Sequence, residues 1–250
     1  MLRFENEIIG KEAKKLYDDA NRMLDEVIAG KLLTCKAAVG IYPANSINDD
    51  EVEVYSDESR TKVLHTFEFL RQQGKKGTGV PNLSLSDFIA PKESGKKDYI
   101  GFFAVTAGIG IEPLLEKYKK NHDDYNDIMI KSVADRLAEA MAEMMHYKVR
   151  KEIWGYAIDE TFDAERLIKE DYIGIRPAPG YPACPDHTEK PPLFELLDAT
   201  KHTDIFLTES HAMYPASSVS GMYFAHPDSK YFGLGKIAKD QVESYAKRKC

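Results

Sequence analysis

The sequence has little cysteine, one tryptophan and no long apolar run. Its three cysteines, Cys35, Cys184 and Cys250, are odd in number and far apart. That excludes a disulfide framework and makes a reducing cytoplasm the expected compartment. No stretch approaches the roughly 18–20 apolar residues of a membrane span, so no membrane partner is expected. Residues 1–10 alternate charge with short apolar pairs and lack a signal-peptide core. Basic excess is also missing. Lys and Arg number 34 against 41 Asp and Glu, a net charge of −7, which argues against nucleic acid as the main partner. There is no Walker-type phosphate loop, strand–GxGxxG–helix, HExxH or GxSxG. Gly108-Ile-Gly110 follows an apolar run but lacks the third glycine, so it reads as a turn rather than a Rossmann fingerprint.

What is present is an ordinary globular composition. Of 250 residues, 43% are hydrophobic, and 14 Tyr and 11 Phe exclude disorder as the main state. The length fits one large domain, taken here as 1–250. Residues 5–29 carry Ile9, Ala13, Leu16, Ala20, Met23 and Val27 at helical spacing, and Gly30 is placed to stop the helix. Strands are expected at 37–42 and 51–55, the latter alternating acid with valine. Asp57 or Ser59 can cap a helix carrying Val63, Leu64, Phe67 and Leu70. Residues 74–81 form a loop, and 99–106 (YIGFFAVT) suit a buried central strand.

A long helix is expected over 123–154. Its buried stripe is Ile130, Val133, Leu137, Met141 and Met144, with Asp135, Glu139, Glu143 and Arg150 on other faces. A short helix at 163–169 precedes a stretch, 176–192, that holds Pro177, Pro179, Pro182, Pro185, Pro191 and Pro192. Proline fixes φ and lacks an amide donor, so this stretch reads as an ordered loop that wraps something, with a helix resuming at 193–197. Two strands, 217–225 and 230–237, are expected to join at the turn His226-Pro-Asp-Ser229, and 239–249 closes with a helix. The fold class is α+β, with mostly antiparallel strands.

Most candidate chemistry has a plainer reading. Cys184 and His187 have a metal-like spacing but lack two further placed ligands, and no base is patterned beside Cys184. Met141, Met144 and Met145 read as core, and Lys75-Lys76 and Lys96-Lys97 as solvated loop charges that could also dock an acidic partner. The proline-dense loop is the strongest site. Arg176-Pro-Ala-Pro-Gly180-Tyr181 sets a guanidinium four residues before a glycine–tyrosine pair. Arginine holds a carboxylate bidentately, a glycine permits close backbone approach, and tyrosine gives a flat amphipathic wall. A zwitterionic ligand with an attached ring fits this set. A rigid surface loop, with Arg176 paired to a local acid such as Glu170, fits it equally.

At this loop the sequence resembles a known family. GIRPAPGYPACPDHTEK (174–190) is similar to the reactivation domain of cobalamin-dependent methionine synthase. So are ADRLAEAMAE (134–143), DFIAPKESGKKDYIGFFAVTAG (87–108), SVSGMYFAHPDSKY (218–231) and DQVESYAKRK (240–249). The resemblance implies a single C-shaped domain with a twisted, mainly antiparallel sheet and helices, unlike Rossmann-type methyltransferases. It implies binding of S-adenosylmethionine and rescue of an enzyme whose cobalamin has oxidised to cob(II)alamin. An electron from flavodoxin or a flavoprotein reductase and a methyl from S-adenosylmethionine restore methylcobalamin. The cobalamin-binding domain of methionine synthase is then the main partner.

Carried over by position, the resemblance implies a ligand loop of Arg176, Ala178, Gly180 and Tyr181, with Arg176 on the methionine carboxylate and backbone near Ala178 on other polar atoms. Tyr231 falls on a ligand-facing strand, Glu139 faces the cationic end, and Glu170 holds Arg176. Phe232 stands where the family often has a second tyrosine. Family members carry a further N-terminal segment, with an aspartate for the nucleoside end, and a C-terminal extension; this chain is expected to lack both. The isolated chain is not expected to make methionine. The competing readings are a docking module with an incomplete ligand site and a self-contained methyltransferase, the latter disfavoured because no general base is patterned beside the loop.

Overall fold

The computed structural model describes residues 9–249. Residues 5–8 of the expected first helix, and Cys250, lie outside them. In chain order the elements are α1 (Ile9–Gly30), β1 (Thr34–Ser46), β2 (Glu51–Tyr55), β3 (Val63–Glu68), β4 (Asp98–Ile109), α2 (Glu112–Lys120) and α3 (Asp124–Lys148). They continue with α4 (Ala164–Ile168), α5 (Lys190–Leu197), α6 (Ala199–Thr203), β5 (Phe206–Leu207), β6 (Met213–Tyr214), β7 (Ser218–Tyr223) and α7 (Lys239–Lys249). Five strands form one antiparallel sheet in the order β3-β2-β1-β4-β7, and β5 pairs with β6. This is the expected α+β class.

The interior strand β4 is buried on both faces, and its side chains show how. Successive side chains of a strand point to opposite faces. Ile100, Phe102 and Ala104 join a core with Leu193, Phe194 and Leu197 of α5 and Ala199 of α6. Phe103 and Val105 face the other way, onto Ala142 of α3 and Val149 just beyond it. That double burial is why YIGFFAVT is a continuous apolar run. A third core joins Met23 and Val27 of α1 to Met129, Ile130 and Val133 of α3.

α3 starts where Asp123 caps it, its carboxylate accepting from the Asn126 amide at 3.1 Å. Its buried face is Met129, Ile130, Val133, Ala134, Ala138, Ala142 and His146. The expected methionine stripe is therefore rotated: Met141 is partly buried and Met144 exposed. The helix ends in a π turn, Val149–Ile153, with the Trp154 amide reaching back to the Val149 carbonyl at 3.0 Å. That turn carries Arg150, fully buried rather than on an outer face.

Three further expectations are corrected. The segment with Val63, Leu64 and Phe67 is an edge strand, not a helix. Residues 230–237 form no strand. Pro191 and Pro192 lie inside α5, in its first turn, where the missing amide donors would have had no helical partner anyway.

α7 is docked by buried polar groups. The Tyr245 hydroxyl donates to Asp186 at 2.6 Å, and the Lys249 ammonium bonds Glu189 and, at 2.9 Å, Glu68. Burial raises the Glu189 carboxyl from its ordinary 4.5 to about 7, despite Lys249 beside it. A carboxyl whose folded pKa lies above its unfolded value favours folding only while protonated, so its stability contribution falls as pH rises from 4.5 to about 7. Glu189→Gln removes this titration. Its urea midpoint, relative to wild type, should be more favourable at about pH 8 than at about pH 5.

Candidate functional site

The ligand loop is positioned by the free edge of β7. The Ile175 amide donates to the Phe224 carbonyl and the Phe224 amide returns the bond, both at 3.0 Å, while the Met222 amide donates to the Pro177 carbonyl at 2.9 Å. Residues 175–177 thus bond along the edge of β7 without forming a sixth strand. Proline suits this edge because its carbonyl is used and its absent N–H is not. Strand alternation turns the Arg176 amide outward, where it donates to the Tyr231 hydroxyl at 3.0 Å. Gly221 of β7 makes the close approach feasible: a Cβ there would stand 2.6 Å from the Pro177 carbonyl oxygen.

Beside this edge lies a cavity of about 560 Å³. Phe103 of β4, Glu139 of α3 and Val219 of β7 form its floor. Glu170 comes from the segment after α4, Arg176, Pro177, Ala178, Tyr181, Pro182 and Ala183 from the loop, and Tyr231, Phe232 and Gly233 close the far wall. That wall is irregular chain, not the expected strand. It is tied down by the Leu234 amide on the Pro182 carbonyl at 3.1 Å and the Gln72 side-chain amide on the Gly233 carbonyl at 2.8 Å.

Seven of the eight residues singled out in the sequence therefore line one cavity: Glu139, Glu170, Arg176, Ala178, Tyr181, Tyr231 and Phe232. Gly180 does not. It adopts φ +101°, and a Cβ there would stand 2.5 Å from the His187 ring. The Gly180 amide donates to the Cys184 carbonyl at 2.7 Å. Its place is in the turn that brings Tyr181 round.

Arg176 also differs from expectation. Its acid partner is Glu143, with Nη2 2.7 Å from the carboxylate, rather than Glu170. Nη1 donates to the Tyr172 hydroxyl at 2.7 Å and lies 3.4 Å from His146 Nδ1. Burial, with Arg150 and Arg176 nearby, holds His146 well below the ordinary histidine range, so it is neutral. Facing a guanidinium, Nδ1 is then the acceptor, and Nε2–H points to the Tyr156 hydroxyl at 3.3 Å. Burial also raises the Tyr231 hydroxyl above the ordinary phenol value, which keeps it protonated at neutral pH.

Glu143, His146, Arg150 and Tyr172 were not singled out as site residues. The first three do leave a trace: Glu139, Glu143, His146 and Arg150 step by four, three and four along one helix face. Phe103 and Val219 were hidden because apolar strand residues look the same whether they floor a cavity or fill a core.

The cavity suits a small organic ligand. Its volume lies in the about 300–1,000 Å³ range of such sites. A guanidinium at one wall can meet a carboxylate, two carboxylates can meet cationic groups, and aromatic rings can flank apolar or cationic parts. A metal has poorer prospects. Cys184 is buried and His187 exposed, and burial pushes the Cys184 thiol up, away from thiolate character. Among the described residues one group, His65, Glu68 and Glu189, brings three ligating atoms within 4.8 Å. There the Lys249 ammonium already bridges the two carboxylates.

An α+β domain with an antiparallel sheet and a cavity so lined is a small-ligand-binding domain outside the Rossmann class. The sequence matches the family described as "Vitamin B12 dependent methionine synthase, activation domain" over residues 2–250, and the chain belongs to that family, the activation domain of a methyltransferase. It is similar to the crystal structure of the MetH reactivation domain bound to AdoHcy. The TM-score is 0.93 at 55% identity, over 98% of this chain and 75% of that one. Among the described residues, no helix is long and apolar enough to cross a membrane.

Proposed function

We propose that the chain binds S-adenosylmethionine in the 560 Å³ cavity and presents it to the cobalamin-binding domain of methionine synthase for reductive methylation of cob(II)alamin. The reading is carried by one observation. The cavity is lined by Arg176, Ala178, Tyr181, Tyr231 and Glu139, residues that the sequence resemblance implies for the ligand. The relative with 55% identity holds S-adenosylhomocysteine, the demethylated form of the same molecule.

When bound, S-adenosylmethionine supplies an electrophilic sulfonium methyl, and cobalamin, reduced by one electron from flavodoxin or a flavoprotein reductase, is the nucleophile that accepts it. The chain's own work is positioning. Arg176 takes the methionine carboxylate. Glu139 and Glu170 face the ammonium and sulfonium charges. Tyr181, Tyr231 and Phe232 flank the ligand. Loss of the second hydroxyl at Phe232 removes one polar contact without opening the wall. Ile158, Phe162, Ile168 and Ile173 are exposed in the segment that also carries Glu170, an apolar border suited to the partner domain.

The test is an anaerobic mixture of this chain, partner domain loaded with cob(II)alamin, a reduced flavodoxin and methyl-labelled S-adenosylmethionine. Label should appear in methylcobalamin only when the chain is present, and with S-adenosylmethionine below saturation Arg176→Ala should lower it about 100-fold. Equal labelling without the chain, or with Arg176→Ala, would refute the reading.

A further inference from the structure

Behind the cavity wall lies a polar layer that the binding function does not by itself require. Arg150 is fully buried in the π turn, and its Nε and Nη2 donate to the two oxygens of Glu160 at 2.7 and 2.8 Å. Its guanidinium carbon lies 3.8 Å from the centroid of the Tyr172 ring. The His146 ring meets Tyr172 edge-on, at 5.2 Å and 88°, and stacks on Tyr223 at 5.0 Å and 18°. Tyr172 is therefore clamped on its face by a cation and at its side by an imidazole. Its hydroxyl accepts the Arg176 Nη1–H at 2.7 Å and points to Glu143 at 3.5 Å. With the Arg176–Glu143 pair at 2.7 Å, these contacts close a ring of three side chains.

We propose that Tyr172 is a positioning residue: it fixes the Arg176 guanidinium for a ligand carboxylate, and the buried Arg150 fixes Tyr172. The proposal rests on the reading that the cavity takes S-adenosylmethionine. Two guanidiniums, two carboxylates and a neutral imidazole balance in charge, so the layer holds together without a ligand anion. A guanidinium has five N–H groups. Three are met by Glu143, Tyr172 and His146, leaving others for the incoming carboxylate. Charge alone would let Arg176 swing about Glu143. The second anchor, on the opposite terminal nitrogen, fixes the plane of the fork. A fork held before binding does not have to be ordered on binding, and the affinity gain from a bidentate contact depends on that preorganisation. Tyr172 is itself braced by Arg150 of the π turn, so the orientation is referred back to the end of α3.

Tyr172→Phe removes one oxygen and keeps the ring between Arg150 and His146. Titrations compare S-adenosylmethionine with its decarboxylated analogue, which keeps the sulfonium and the amine. The variant should bind S-adenosylmethionine about tenfold more weakly, the value of one charge-assisted hydrogen bond, and should bind the analogue as wild type does. Arg150→Lys keeps the charge and loses the flat stack, and it should weaken the same ligand selectively. Equal weakening of both ligands would reveal a merely structural role and overturn the proposal. Unchanged binding of both would overturn it too. If the wild-type chain bound neither ligand, the reading of the cavity itself would fall, a result distinct from either of these.

Discussion

Arg176→Ala is expected to weaken S-adenosylmethionine binding by about 100-fold, equivalent to ~3 kcal/mol for a charged, two-pronged hydrogen bond. The same change should also cost about 3 kcal/mol of stability, because it leaves Glu143 mostly buried without its cation. The Glu143 side chain is 21% exposed and one of its oxygens, Oε1, already has no partner, so water relieves little of that penalty. The two losses separate in a double variant. Adding Glu143→Gln to Arg176→Ala removes the unpaired charge and should restore most of the stability while binding stays lost. Urea titrations and calorimetry on wild type and the two variants check both halves. Restored binding in the double variant would mean that Arg176 serves only to neutralise Glu143.

Gly221→Ala should lower stability by about 2–3 kcal/mol, the range for overpacking a filled site. The added carbon would stand 2.6 Å from the Pro177 carbonyl oxygen and 2.8 Å from the Phe103 ring. Neither neighbour can yield cheaply. The Pro177 oxygen is held by the Met222 amide, and Phe103 is stacked on Tyr223 at 4.7 Å. The loop must lift from β7 at the segment that carries Arg176 and Ala178, so ligand affinity should fall with stability. Gly233→Ala is the control. Its added carbon would have the Pro182 Cβ at 3.8 Å as its nearest neighbour, and its unfolding midpoint should match wild type to within about 0.5 kcal/mol.

The sequence revealed the site better than it revealed the scaffold. Loop chemistry is local: Arg176, Ala178 and Tyr181 sit within six residues, and their grouping does not depend on the rest of the fold. Ala178, Tyr231, Phe232 and Glu139 came from the family resemblance, since nothing in their own chemistry or spacing marks them as ligand contacts. Gly180 was read as a place for close ligand approach, but its neighbour is His187, a contact that sequence does not encode.

The two missed strand assignments have one physical origin: sheet edges. In β3, Val63 and Leu64 are exposed and Phe67 is buried, so the alternation of a half-buried strand is absent and the apolar residues fall at helical spacing. Residues 230–237 look like the second half of a hairpin after His226-Pro-Asp-Ser229. The edge that they would pair with is already taken, because residues 175–177 bond Met222 and Phe224 first. A segment some 50 positions upstream thus displaces the local partner, and no local pattern announces it. Arg150 was misplaced for a related reason. A charged residue is normally read as solvent-facing, and only the tertiary pair with Glu160 makes its burial tolerable.

The central claim is that the cavity beside Arg176 is a working S-adenosylmethionine site in this chain. Its most direct test is calorimetric titration of the folded chain with S-adenosylmethionine. The account predicts saturable one-to-one binding that S-adenosylhomocysteine competes away. A folded chain that takes up neither compound would contradict it.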